Sequence, residues 1–275
     1  MEAEFSQKRI NHIFHYTKSF DSLIGVLQKG FSPSYCQEQI TDLVYLIPMV
    51  SFCNISIRDV DLYMRYGNYG IGMSIDWAIK NRISPVIYIH ETSPFNSLHS
   101  DINKILLWDL VNGQFADAQR QFQEAMDKGE AYNYTPPADE RHTQLLSNIN
   151  MVTVPALQFF KNWKVEYKGQ EIITYQEREW RYIPDLKGEK KIIPSSDDEF
   201  GAFNDKDAKP KPHLPQYSLQ IDNIIDLRYI IISNENERGN VIDCLKDRFG
   251  EKDVLDALFR GTLLILTDNQ VRNDF

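Results

Sequence analysis

Short apolar runs of strand character recur from residue 13 to residue 268, with amphipathic helical stretches set between them. Ile13–Thr17 reads as an extended run. Phe20, Leu23, Ile24 and Leu27 then fall at i, i+3, i+4 and i+7, with Ser19 placed to cap and Gly30 just past the end, so a helix is predicted there. Pro48–Cys53 reads as a buried strand, and Ser56 heads a helix carrying Ile57, Val60 and Met64 that stops at Gly67. Tyr66–Ser74 (YGNYGIGMS) is a glycine-punctuated strand, followed by a short helix around Trp77–Lys80 and a buried strand at Pro85–Ile89. From about 96 to 130 and from about 138 to 163 the pattern is helical, broken at Tyr134–Pro137. These stretches lie between strands and are read as an inserted helical layer. Val165–Ile183 reads as a hairpin with a long second arm, and 184–216, rich in Pro, Lys and Asp, as a mobile loop. Leu227–Ser233 is a strand, Val241–Phe249 an amphipathic helix and Leu263–Asp268 a last strand. The expectation is one α+β domain over residues 1–275, built on a mixed, mostly antiparallel central sheet.

At 275 residues and 42% hydrophobic, the chain can bury one sizeable core. No stretch reaches the roughly 20 uninterrupted apolar residues that a membrane-spanning helix requires. The opening MEAEFSQKRINHIF lacks a basic segment followed by an apolar one, so no secretory signal is read and the cytoplasm is expected. The formal net charge of −9 opposes nonspecific binding to nucleic acid. Lys187, Lys190 and Lys191 form the densest basic run, but Glu189, Asp197, Asp198 and Glu199 surround it, as in a solvated loop. Cys36, Cys53 and Cys244 are odd in number and widely spaced, and the six histidines do not cluster at ligand spacing, so no metal is expected.

Three separated segments carry chemistry. His15-Tyr16-Thr17 ends the first strand; imidazole next to hydroxyls can hold a sugar hydroxyl, although a packing histidine fits the same position. Ser51, on the Pro48–Cys53 strand, joins the candidate binding set. Tyr66 and Tyr69, followed by Gly70 and Gly72, can form a shelf for a flat ring, or a tight turn with buried tyrosines. The glycines do not complete a dinucleotide-binding fingerprint. In Glu177-Arg178-Glu179-Trp180-Arg181, a strand of period two sets Tyr175, Glu177, Glu179 and Arg181 on one face. Neighbouring carboxylates repel unless a cation or ligand relieves them. Arg181 would do so as a surface ion pair; alternatively an ionised glutamate waits for an oxocarbenium ion.

A strand histidine, a mid-chain aromatic and a late strand glutamate resemble the His–Tyr–Glu layout of ADP-ribosyltransferases. That resemblance implies NAD as substrate, with His15 on its ribose, Tyr66 or Tyr69 on nicotinamide and Glu179 as the catalytic carboxylate. Glu177 would orient the acceptor. A longer resemblance rests on FHYTKSFDSLIGVLQKGFSPSYC, PMVSFCNISIRDV, YGNYGIGMSIDWAIKNRISPVIYI and EREWR, which together resemble the AbiGi family of abortive-infection, phage-resistance proteins. It covers roughly residues 10–90 and 165–185. Asn54 stands where that family is expected to carry aspartate. The resemblance implies an antitoxin whose cognate toxin is nucleotidyltransferase-like. Three functions follow as expectations: an NAD-consuming defence enzyme, a noncatalytic antitoxin, or a phage sensor in which the same cleft binds a nucleotide without turnover; the partner expected is a cognate toxin or a phage protein.

Overall fold

A computed structural model describes residues 10–40, 43–59, 66–95, 118–133, 154–167, 169–204 and 213–274. The strands are β1 (His12–Thr17), β2 (Ser34–Ile40), β3 (Leu43–Cys53), β4 (Tyr69–Ser74), β5 (Ser84–Pro85), β6 (Ile87–Ile89), β7 (Phe160–Asn162), β8 (Lys164–Tyr167), β9 (Gln170–Ile173), β10 (Glu179–Tyr182), β11 (Ile193–Pro194), β12 (Leu227–Ile232) and β13 (Leu264–Thr267). The helices are α1 (Phe20–Lys29), α2 (Ile75–Lys80), α3 (118–128), α4 (154–159), α5 (Phe200–Asn204), α6 (Arg238–Phe249), α7 (Glu251–Phe259) and α8 (Asp268–Asn273).

The main sheet runs β13-β12-β4-β1-β3-β10-β5, with β2 and β11 paired to the other half of the long β3. Only the β12–β13 pairing within it is parallel, so the sheet is mixed and mostly antiparallel, as the sequence predicts. β6 and β7 form a separate parallel pair, and β8 and β9 an antiparallel ribbon.

Side-chain alternation gives the sheet two unlike faces. On one, Ile13, Val50, Phe52, Ile71, Met73 and Ile230 are buried against α1, α2, α6 and α7 through Leu23, Leu27, Trp77, Val241, Leu245 and Val254. Helix α1 forms where expected, because Ser19 accepts from the Ser22 amide and Gly30, at φ 81°, closes the end by donating to Val26. On the other face Phe14, Cys53 and Ile231 make a smaller cluster with Val271.

Several expectations need correction. Pro85–Ile89 is not one strand: β5 pairs with β10, β6 with β7, and the Val86 amide between them donates to Glu179 O at 3.0 Å. The second helical stretch ends before Trp163, since α4 gives way to β7. The second arm of the hairpin stops at Ile173; a 3-10 turn (Thr174–Glu177) then breaks the chain before β10 joins the main sheet. The stretch 184–216 has its own anchors, Leu186, Ile193 and Leu214, packed around Tyr35 and Leu46. The expected helix from Ser56 to Gly67 shows a 3-10 turn at 57–59, and its middle lies outside the described residues, as does most of the helical layer. Among the described residues no helix is long and apolar enough to cross a membrane.

Candidate functional site

The corner at Arg178 is what assembles the charged centre. Its backbone is left-handed (φ 46°, ψ 52°), unusual for a residue with a Cβ, and its carbonyl accepts from the Asn54 amide at 3.0 Å. This reversal places Glu177, on the 3-10 turn, and Glu179, on β10, around one ammonium. Lys161 of β7 lies 3.1 Å from Glu177 Oε2 and donates to Glu179 Oε2. The other Glu179 oxygen accepts from Arg181 Nε at 2.7 Å and from Ser51 Oγ at 3.0 Å. Arg181 is fully buried; its Nη1 donates to Gln158 O at 2.8 Å and to Phe160 O at 3.3 Å. Its Nη2 forms an ion pair with Glu38 Oε1 at 3.0 Å. Tyr66 Oη donates to Glu177 Oε1 at 2.5 Å, and Tyr88 Oη accepts the Glu179 amide at 2.7 Å.

Two cations therefore hold three carboxylates in a volume nearly sealed from water. Burial would raise the Glu179 carboxyl, but Arg181 and Lys161 beside it hold it down at about 2. Burial likewise opposes charge on Lys161, yet Glu179, Glu38 and Glu177 keep its ammonium well above the usual lysine range. The surface ion pair expected for Arg181 is thus a buried network. Lys161, which joins the two glutamates, was not singled out in the sequence because its segment reads as helix.

His15 stands elsewhere. Phe14 and Glu179 both sit directly opposite Cys53, so those three share a face, and His15, one residue on, points to the other. Its ring packs on Phe31 and Phe52 with centroids 5.3 and 5.6 Å away. Nδ1 lies 2.9 Å from Ser51 O, an acceptor, so Nδ1 carries the proton and donates. Burial lowers this imidazole below its ordinary range and keeps it neutral. It is a core histidine, back to back with Glu179 across β3.

The remaining candidates divide in the same way. Ser51, Tyr66, Glu177, Glu179 and Arg181 come together. Tyr69 lies on the His15 face, its hydroxyl donating to Glu237 at 2.8 Å, and Thr17 Oγ1 donates to Ser19 O at 3.3 Å at the start of α1. Tyr16 is on the Glu179 face, with its ring 5.8 Å from that of Phe14. The glycine shelf is filled by the protein's own rings: a Cβ at Gly72 would come within 2.9 Å of Phe14 and Tyr229, and one at Gly70 within 3.1 Å of Tyr16 and Ile231. Asn54 uses its amide to donate to His12 O at 2.8 Å, a bond that aspartate cannot make when ionised. An open cleft of about 960 Å³ lies beyond this network, between β6 and the β8–β9 ribbon, lined by Gln39, His90, Asn162, Trp163 and Glu166 among others, with neither Lys161 nor Glu179 in its wall.

The fold and site define an α+β sheet protein whose acidic pair is neutralised from within. The chain belongs to the family described as "Putative abortive phage resistance protein AbiGi, antitoxin", whose model matches residues 30–233. It is 25% identical over 262 residues to the abortive phage resistance protein AbiGi of Lactococcus lactis subsp. cremoris, covering 82% of this chain and 94% of that one. No solved structure matches the chain.

Proposed function

We propose that this member of an abortive-infection defence family is a noncatalytic antitoxin, acting by binding a partner, a nucleotidyltransferase-like toxin. The observation that carries this reading is the placement of His15 and Glu179 on opposite faces of β3, with both Glu179 oxygens engaged by Arg181, Ser51 and Lys161. An acid that stabilises an oxocarbenium ion needs an open side toward its substrate; here that side is occupied by lysine. The antitoxin description of the family agrees with this. The test is co-expression with a nucleotidyltransferase-like toxin gene. Expression alone should be harmless and should rescue growth; toxicity of the wild type alone would overturn the reading.

A second reading keeps an ADP-ribosyltransferase-like NAD-binding cleft, because Glu177 and Glu179 meet at one lysine and Tyr66 bonds the first of them. In that reading NAD is the substrate, Tyr66 meets the nicotinamide and Lys161 withdraws when NAD binds. It requires purified protein to release nicotinamide from millimolar NAD, with loss of that release in Tyr66→Phe and Glu179→Gln. Absence of release by the wild type rules it out.

A further inference from the structure

We infer that the cleft between β6 and the β8–β9 ribbon is the partner-binding surface, and that its occupant is an extended, cationic segment of a partner protein. The inference rests on the antitoxin reading and gives it a location and a chemistry. In the ribbon's register Glu166 stands directly opposite Glu171, so two carboxylates share one face at the closest cross-strand spacing. Like charges so placed work against the hairpin that carries them. Lys164 bonds Glu171 at 2.8 Å, whereas the Glu166 side chain has neither a hydrogen bond nor an ion pair among the described residues. Glu91 adds a third carboxylate to the wall, and among the described lining residues Lys164 is the one lysine or arginine. A guanidinium or ammonium arriving beside Glu166 would relieve the part of that opposition which Lys164, bonded to Glu171, leaves in place.

Two further features select an extended peptide. Trp163, 40% exposed, lines the same cleft and offers an indole face to a cation, and Tyr175, 61% exposed, lies beyond it. Among the described residues β8 and β9 pair only with each other, and within them each keeps an outer edge able to accept an added strand. Nucleic acid is the wrong ligand, since the wall repels phosphates.

The probe is an acetylated, amidated octapeptide of alternating arginine and threonine, with a glutamate–threonine octapeptide as control, titrated onto the full chain by tryptophan fluorescence. The arginine peptide should bind saturably and the control should not. Glu166→Gln with Glu171→Gln should weaken binding by about tenfold or more, and added salt should weaken it in the wild type. The free double variant should melt close to the wild type, since the like-charge pair and the exposed Lys164–Glu171 ion pair are lost together; a misfolded variant would melt far lower. Absence of saturable binding, or equal binding by the double variant, overturns the inference. In cells the double variant should lose protection against the toxin. If it protects as well as the wild type, the cleft is not the partner surface and the antitoxin reading stands. If the wild type itself fails to protect, that reading falls and the partner assignment with it.

Discussion

Replacing Lys161 with methionine tests the buried network directly. The side chain has similar length, so packing is largely kept while the charge is removed. Lys161 is 13% exposed, and the glutamates it joins are 5% and 4% exposed, so no water replaces the lost ammonium. Removing one partner from a buried pair costs about 3–5 kcal/mol, because the remaining charge stays desolvated. The acid side gives a similar size: a Glu179 carboxyl held at about 2 rather than 4.5 corresponds to about 3 kcal/mol of stabilisation, shared between Arg181 and Lys161. That contribution is present above the unfolded value of 4.5 and disappears as pH falls from there toward 2. Lys161→Met should therefore lower stability most at pH 7, and the gap to wild type should narrow below pH 4.5, where a neutral carboxyl no longer needs a cation. Urea unfolding followed by circular dichroism at both pH values reads this out, with an unchanged slope confirming the same cooperative unit. Adding Glu179→Gln to Lys161→Met should recover part of the loss. A single variant within about 1 kcal/mol of wild type at pH 7 would refute the argument that the lysine neutralises this site.

Gly72→Ala should cost about 1–3 kcal/mol in thermal or chemical unfolding, because its methyl would sit 2.9 Å from Phe14 and Tyr229 in a filled face. His15 supplies a pH dependence of opposite origin. Its native value is lowered from 6.5 by burial, so the unfolded chain binds the proton first and stability falls as pH drops below 6.5. His15→Gln should flatten the melting temperature between pH 7 and 5 without abolishing the slope, since His12 is lowered in the same sense.

What the sequence disclosed was local. Helix α1 was legible because its period, its Ser19 cap and its Gly30 stop all lie within twelve residues. The glycine strand β4 and the late β12–α6 segment were legible for the same reason. The charged centre depends on events without a local signature. Arg178 turns left-handed with no glycine or asparagine to announce it, and the turn changes which residues neighbour Glu177. Lys161 sits on a three-residue strand whose only ladder among the described residues is to β6, so its apolar neighbours read as the end of a helix. Period two placed Glu179 and Arg181 together correctly, but alternation does not say which face is buried, and here the charged face is. α7 follows α6 across Gly250 and was missed, although Val254 and Ala257 carry its buried stripe.

Ser51 deserves a last consequence. Its carbonyl accepts a hydrogen bond from His15 Nδ1 on one side of the sheet while its hydroxyl donates to Glu179 on the other, so a single residue is anchored through the thickness of the layer. Cutting either tether loosens the other. A phenotype from replacing His15 would then report on the acid behind it as well as on the ring itself, and genetic interaction between the two positions would arise without any shared ligand.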